Sequence, residues 1–158
     1  MVKDEITIRT VKVSDAAAIA RLWLQCTAEV AVYEPIYTPA IDVEDLAHRL
    51  GAEFGSGKKF GWVAEVGNEL AGYVTCLVQE EEPIFVRRQY VYVADLDVAP
   101  SYRGQGLSRV LMNRVEQYAQ ACGIRRLELA VAYGDPRSRA VWERHGFQPH
   151  FIHLHKDL

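Results

Sequence analysis

The stretch from Leu96-Asp97-Val98 through Ala99-Pro100-Ser101-Tyr102 into Arg103-Gly104-Gln105-Gly106-Leu107-Ser108 constrains this chain more than any other. Residues 90–98 alternate in the manner of a strand, and Pro100 ends it. From about 104 to 122, Leu107, Val110, Leu111, Val115, Tyr118, Ala119 and Cys122 recur at helical spacing, with Gly123 placed as the C-terminal cap. A strand, a glycine-rich break and a helix in that order put unpaired backbone N–H groups at the positive end of a helix dipole. Gly104 and Gly106 remove side chains that would hold an anion off the backbone, and Arg103 adds positive charge nearby. Each such dipole contact is worth roughly 0.3–1 kcal/mol when exposed, so several amides must act together, and a pyrophosphate suits them. The loop is not a Walker loop, since no Gly-Lys-Ser/Thr follows. It is a poor dinucleotide fingerprint, because Arg109 stands at the third glycine position and the strand lies far from the N-terminus. The plain alternative is a helix entry whose glycines only make a turn.

The rest of the chain supplies a setting for that loop. Ile6 and Ile8 alternate with polar neighbours over residues 5–11, which predicts a first strand. Ser14 suits an N-cap, Asp15 suits the first turn, and Ile19, Leu22, Trp23, Cys26 and Val30 follow at helical spacing. Pro35 and Pro39 break that helix. A second helix is expected over about 42–50, stopped by Gly51. Residues 60–66 and 70–79 read as strands joined through Gly67-Asn68. Leu127, Leu129 and Val131 alternate in a further strand, a short helix covers about 136–145 up to Gly146, and a last strand covers about 147–155. The order β-α-α-β-β-β-α-β-α-β predicts an α/β chain with a mixed, mostly antiparallel sheet and helices on both faces.

A length of 158 residues predicts one domain, 1–158, large enough for a core without staples. The net charge of -3 does not favour a nucleic-acid partner. No apolar run approaches the ~20 residues a membrane span needs, and the start of the chain lacks the basic-then-apolar order of a signal peptide. Cys26, Cys76 and Cys122 are odd in number and far apart, which fits free thiols and a cytoplasmic setting.

At the loop the chain resembles the GCN5-related N-acetyltransferase (GNAT) family. The family pattern Q/R-x-x-G-x-G/A, following a Leu-x-Val strand end, stands here as Leu96-Asp97-Val98 and then Arg103-x-x-Gly106-x-Ser108. Ser108 replaces the usual Gly or Ala. Ala140-Val141-Trp142-Glu143-Arg144-His145-Gly146-Phe147 is similar to the family's late helix and strand. The resemblance implies an N-acyltransferase fold and acetyl-CoA as co-substrate. It implies that the backbone of Leu96, Asp97 and Val98 pairs with the pantetheine arm. The N–H groups of Arg103, Gly104, Gln105, Gly106, Leu107 and Ser108 would hold the pyrophosphate. A splay between the strands near Val98 and Val131 would admit the thioester, and a bulge in the 90–98 strand would aim a backbone N–H at its carbonyl. A homodimer is a further family-level implication.

Two positions depart from the family. Asp135 stands where an Asn often contacts pantetheine, and Trp142 stands where a Tyr often acts as acid. A proton donor typically contributes about 10²–10⁴-fold, yet a thiol with pKa near ~8.5 leaves tolerably without one. Tyr133 or a water is the replacement considered. An alkylammonium must lose a proton before attacking a thioester, and Asp95, on an otherwise apolar strand, is the candidate base, with Asp97 beside it. The structural alternative pairs these acids with an arginine such as Arg87 or Arg125. The run Tyr90-Val91-Tyr92-Val93-Ala94-Asp95-Leu96, with Tyr133-Gly134-Asp135, also somewhat resembles aminoglycoside 3-N-acetyltransferases. Tyr33, Glu34 and Tyr37, in the break between the first two helices, are the substrate-contact candidates that the family implies. The expected reaction is direct acetyl transfer to a small-molecule primary amine. A peptide or protein amine is the alternative acceptor, and a silent acyl-CoA-binding module the alternative class. His150, His153 and His155 lack a fourth ligand nearby other than Asp157, so no metal site is read there.

Overall fold

The computed structural model describes residues 5–158 with the exception of residue 87. Five strands form one sheet in chain order: β1 (Ile6–Thr10), β2 (Phe60–Val66), β3 (Glu69–Glu80), β4 (Gln89–Val98) and β5 (Leu127–Glu128). The first three junctions are antiparallel and β4–β5 is parallel, as a strand-helix-strand crossover requires. The helices are α1 (Ala16–Ala31), α2 (Val43–Gly55), α3 (Leu107–Ala121) and α4 (Pro136–Arg144).

Alternation along the strands feeds two cores. Ala64, Val74, Cys76, Val91 and Val93 bury against Leu107, Leu111, Met112 and Val115 of α3, with Trp142 and Phe147 packed at the edge. On the opposite face Val63 and Tyr73 bury against Ile19, Ala20 and Leu22 of α1 and Leu46 and Leu50 of α2. Helices therefore cover both faces of a mostly antiparallel sheet. Among the described residues no helix is long and apolar enough to cross a membrane.

Several local expectations change for physical reasons. Ser14 does not cap α1: it lies inside a 3₁₀ turn, Val13–Asp15. Asp15 does the local work, accepting from the Lys12 N–H at 2.7 Å and from both terminal nitrogens of Arg9 at 2.8 Å. Gly51 does not stop α2, which runs on to Gly55. A Cβ on Gly51 would sit 3.6 Å from Val13, so this glycine sits at the contact with the segment that leads into α1. The left-handed residue that ends α2 is Gly57, at φ 71°. Helix α3 starts at Leu107, after Gly104 at φ 76° and Gly106 at φ 82°, both in the left-handed region.

The strand expected over Leu127, Leu129 and Val131 pairs only at Leu127–Glu128. The cause lies in β4. Thr75 pairs with Asp95 but Cys76 pairs with Val93, so Ala94 is an extra residue that bulges out of the ladder. Beyond Tyr92↔Glu128 the two strands part. The last strand, expected over 147–155, does not form. Those residues carry no regular structure, and Phe151, Ile152 and Leu154 are exposed. Their alternation is strand-like, but a strand exists only where a neighbour accepts its backbone hydrogen bonds.

Candidate functional site

The site is built where β4 leaves its parallel neighbour. From Val93 to Val98 the β5 side of β4 pairs with no strand among the described residues, whereas its other side pairs with β3 at every residue but the bulged Ala94. The Leu96, Asp97 and Val98 backbones thus stand on an open edge, the kind that takes up an extended chain as an added strand. The bulge at Ala94 sits at the start of that edge.

The loop that follows is shaped for an anion. Tyr102 and Arg103 N–H groups close a 3₁₀ turn onto Ala99 and Pro100. The N–H groups of Gly104, Gln105, Gly106, Leu107 and Ser108 donate to no backbone carbonyl among the described residues. A Cβ built on Gly104 or Gly106 would meet nothing within 4 Å, so the space beside these two residues is open. That space, the free amides and the start of α3 fit a pyrophosphate. Leu107 itself is buried and anchors the loop to the core.

The Arg103 side chain does something the sequence did not show. Its Nε donates to the Val98 carbonyl at 3.0 Å, and its two terminal nitrogens grip Glu29 of α1 at 2.9 and 3.0 Å. A third contact reaches Cys26 Sγ at 3.6 Å. Below it, Asp97 accepts from the Tyr73 hydroxyl at 2.6 Å. Burial raises the Asp97 carboxyl to about 7, against the lowering effect of Tyr73. Burial likewise pushes the Cys26 thiol up to about 12, so it packs as a neutral group.

Asp95 is held on three sides. Trp23 Nε1 donates at 2.9 Å, Thr75 Oγ1 at 2.7 Å, and Lys59 Nζ stands 3.7 Å away. Lys59 also pairs with Glu53 at 3.0 Å. The partner of Asp95 is therefore a lysine rather than Arg125; Arg87 lies outside the described residues. One-fifth of the Asp95 side chain stays exposed, which leaves it reachable by solvent.

Tyr133 is 84% exposed, with the Arg139 guanidinium 4.9 Å over its ring, and it is not brought to Asp95. Asp135 is buried and caps α4, accepting from the N–H groups of Arg137 and Ser138. Trp142 packs edge-on against Phe147. Tyr33 lines a cavity of about 440 Å³ with Glu29, Val32, Arg103 and Arg137. Glu34 leads into the 3₁₀ turn Pro35–Tyr37. Sequence reasoning passed over Tyr92. Burial, with the nearby Asp95 charge, raises its pKa. The signal available was its place two residues before the bulge, on the same side of β4 as Asp95 once the extra residue is counted.

The Acetyltransferase (GNAT) family model matches residues 17–147. The chain belongs to the GNAT family. It is accordingly an acetyl-CoA-dependent acyltransferase, since acetyl-CoA is the co-substrate of GNAT enzymes. This GNAT chain is 29% identical over 150 residues to the uncharacterized N-acetyltransferase YhfO of Bacillus subtilis, covering 94% of this chain and 95% of that one. Its fold matches a predicted acetyltransferase of Clostridium acetobutylicum solved with acetyl-CoA, at TM-score 0.78 and 17% identity over 97% and 96% of the two chains. It also matches an aminoglycoside acetyltransferase from an uncultured soil metagenomic sample, solved with trehalose, at TM-score 0.74 and 16% identity over 100% and 99%.

Proposed function

We propose that this GNAT chain moves an acetyl group from acetyl-CoA directly to the primary amine of a small molecule. The observation that carries this reading is the junction at Ala94. There the bulge, the open edge of β4, the Asp95 carboxylate and the Tyr92 phenol meet within a few residues. Acetyl-CoA would supply a thioester whose carbonyl carbon accepts the amine. The open backbone of 96–98 takes the extended arm, and the amides of Gly104 to Ser108 take the phosphates. The Ala94 backbone N–H, outside the ladder, is the donor for negative charge on the carbonyl oxygen.

Asp95, fixed by Trp23 and Thr75, takes the proton that the amine must lose, through a water that its exposed fifth admits. As the carbon–nitrogen bond forms, the carbon–sulfur bond breaks and Tyr92 holds a proton toward the departing sulfur. Tyr92 fits this role better than Tyr133, which is exposed and stacked under Arg139. Tyr33, Glu34 and Tyr37 wall the acceptor side. Support for a small acceptor comes from the aminoglycoside acetyltransferase among the structures of like fold.

Acetyl-CoA incubated with a panel of small amines and, separately, lysine peptides, read as released thiol, tests this. Turnover on small amines is expected. Turnover on peptides alone would move the acceptor to a protein. Tight acetyl-CoA binding with no turnover would leave a silent acyl-CoA-binding module, consistent with the absence of an acidic proton at Trp142.

A further inference from the structure

We propose that Glu29 is an internal anion that competes with the phosphates of the acyl donor for Arg103 and Arg137, and so sets the affinity of this site. The inference rests on the acetyl-CoA reading given above.

The two arginines line one cavity and come from different elements. Arg103 belongs to the loop before α3, and Arg137 to the first turn of α4. Arg137 lies in the first turn of its helix, where the dipole favours anions. Glu29 reaches in from α1 and joins them. Its Oε2 accepts from Arg103 Nη1 at 2.9 Å and from Arg137 Nη2 at 3.3 Å, while its Oε1 accepts from Arg103 Nη2 at 3.0 Å. A forked guanidinium–carboxylate pair of this kind has the geometry of a guanidinium–phosphate pair.

Donor counting makes the competition explicit. A guanidinium has five N–H donors. In Arg103 one goes to the Val98 carbonyl, two to Glu29 and one toward Cys26 Sγ. The fork that would grip a phosphate is therefore already closed on Glu29. Arg103 engages a phosphate with that fork only when Glu29 lets go. The contact to Val98 keeps the stem of Arg103 in place during the exchange, so the arginine changes partner without changing position.

The pair is suited to exchange because it is wet. The Arg103 and Glu29 side chains are 37% and 34% exposed, and Arg137 is 65% exposed. Ion pairs this exposed contribute about 0–1 kcal/mol, so a dianionic ligand with free amides beside it displaces the carboxylate readily. Glu29 is held ionised by Arg103 and Arg137, which keeps it an effective competitor at neutral pH. Its cost to the ligand is paid at every binding event.

Calorimetry with coenzyme A on the wild-type chain and on Glu29→Gln tests the proposal. Glu29→Gln keeps the size of the side chain and removes its charge. It is expected to tighten coenzyme A binding about 3–10-fold, with the gain shrinking as salt rises. Pantetheine, which lacks the phosphates, is expected to bind both proteins equally. In the background of Arg137→Gln the gain from Glu29→Gln should shrink. Equal or weaker coenzyme A binding by a folded Glu29→Gln, with the wild type binding normally, overturns this inference and leaves the acetyl-CoA reading intact. An equal gain for pantetheine overturns it too, since phosphates would then not be the competitor. If Glu29→Gln misfolds, Arg137→Gln alone decides: weaker coenzyme A binding supports the clamp, and unchanged binding overturns it. A wild-type chain that binds no coenzyme A at any salt concentration removes both readings.

Discussion

Trp23 donates its indole N–H to Asp95 Oδ1 at 2.9 Å, joining α1 to β4 across 72 residues of chain. Together with Thr75 Oγ1 at 2.7 Å, it fixes a carboxylate at the mouth of the open edge of β4. Asp95→Asn is expected to lower kcat by about 10²–10⁴-fold while leaving coenzyme A affinity within twofold. Steady-state kinetics with calorimetry on the same protein checks this. A kcat within threefold of wild type would remove Asp95 from the chemistry. Trp23→Phe should lower kcat less than Asp95→Asn does, because it loosens the carboxylate without removing it.

Tyr92→Phe separates proton delivery from packing. The ring stays and only the hydroxyl goes, so thermal stability should change by less than about 1 kcal/mol. The expected loss is about tenfold or more in kcat with an unchanged Kd for coenzyme A. If Tyr133→Phe shows that loss and Tyr92→Phe does not, the exposed tyrosine is the donor after all.

Gly106 offers a test in which strain and charge part company. At φ 82° any side chain is strained, and Asn and Asp tolerate the left-handed region about equally. Gly106→Asn and Gly106→Asp should therefore cost similar stability, about 1 kcal/mol each. Only Gly106→Asp places a carboxylate at the amides of Gly104 to Ser108, and its coenzyme A binding should fall about 100-fold or more relative to Gly106→Asn. Equal binding by the two variants would show that the phosphates sit elsewhere.

Asp97 predicts a pH dependence of stability. Burial raises its carboxyl from 3.8 to about 7, so the folded chain holds this proton more tightly than the unfolded chain does. The stability it contributes is full below about pH 4, declines as pH rises toward 7, and is flat above that. Asp97→Asn should flatten the decline in Tm between pH 4 and 7, as measured by calorimetric melts. A variant whose Tm falls as steeply as the wild type's would assign the slope to other groups.

Gly61 tests the fit between strands β2 and β3. A Cβ there would lie 1.9 Å from the Val74 carbonyl oxygen, in backbone that has no room to retreat. Gly61→Ala should cost about 3 kcal/mol, read from the denaturant midpoint.

Much of this molecule was legible in one dimension. Hydrophobic period gave the helices and the first four strands, because Ile19, Leu111 or Val91 must face a core whatever the neighbouring element is. The glycine pair at 104 and 106 marked the left-handed turn before α3, because its φ requirement is a local property of the backbone. Gly123 and Gly146 closed their helices as expected for the same reason.

What the sequence could not decide depends on partners far away in the chain. Alternation over 147–155 resembles a strand, but strand formation needs a neighbour's hydrogen bonds, and those belong to the sheet. The short pairing of β5 follows from one extra residue at Ala94, which is visible only once Thr75 and Cys76 are laid against β4. Arg103 read locally as a phosphate ligand, yet its present partner is Glu29, 74 residues earlier on α1. Charge and spacing determine which groups a loop can offer. Only the packing of α1, α3 and α4 around one cavity decides which of those groups are already taken.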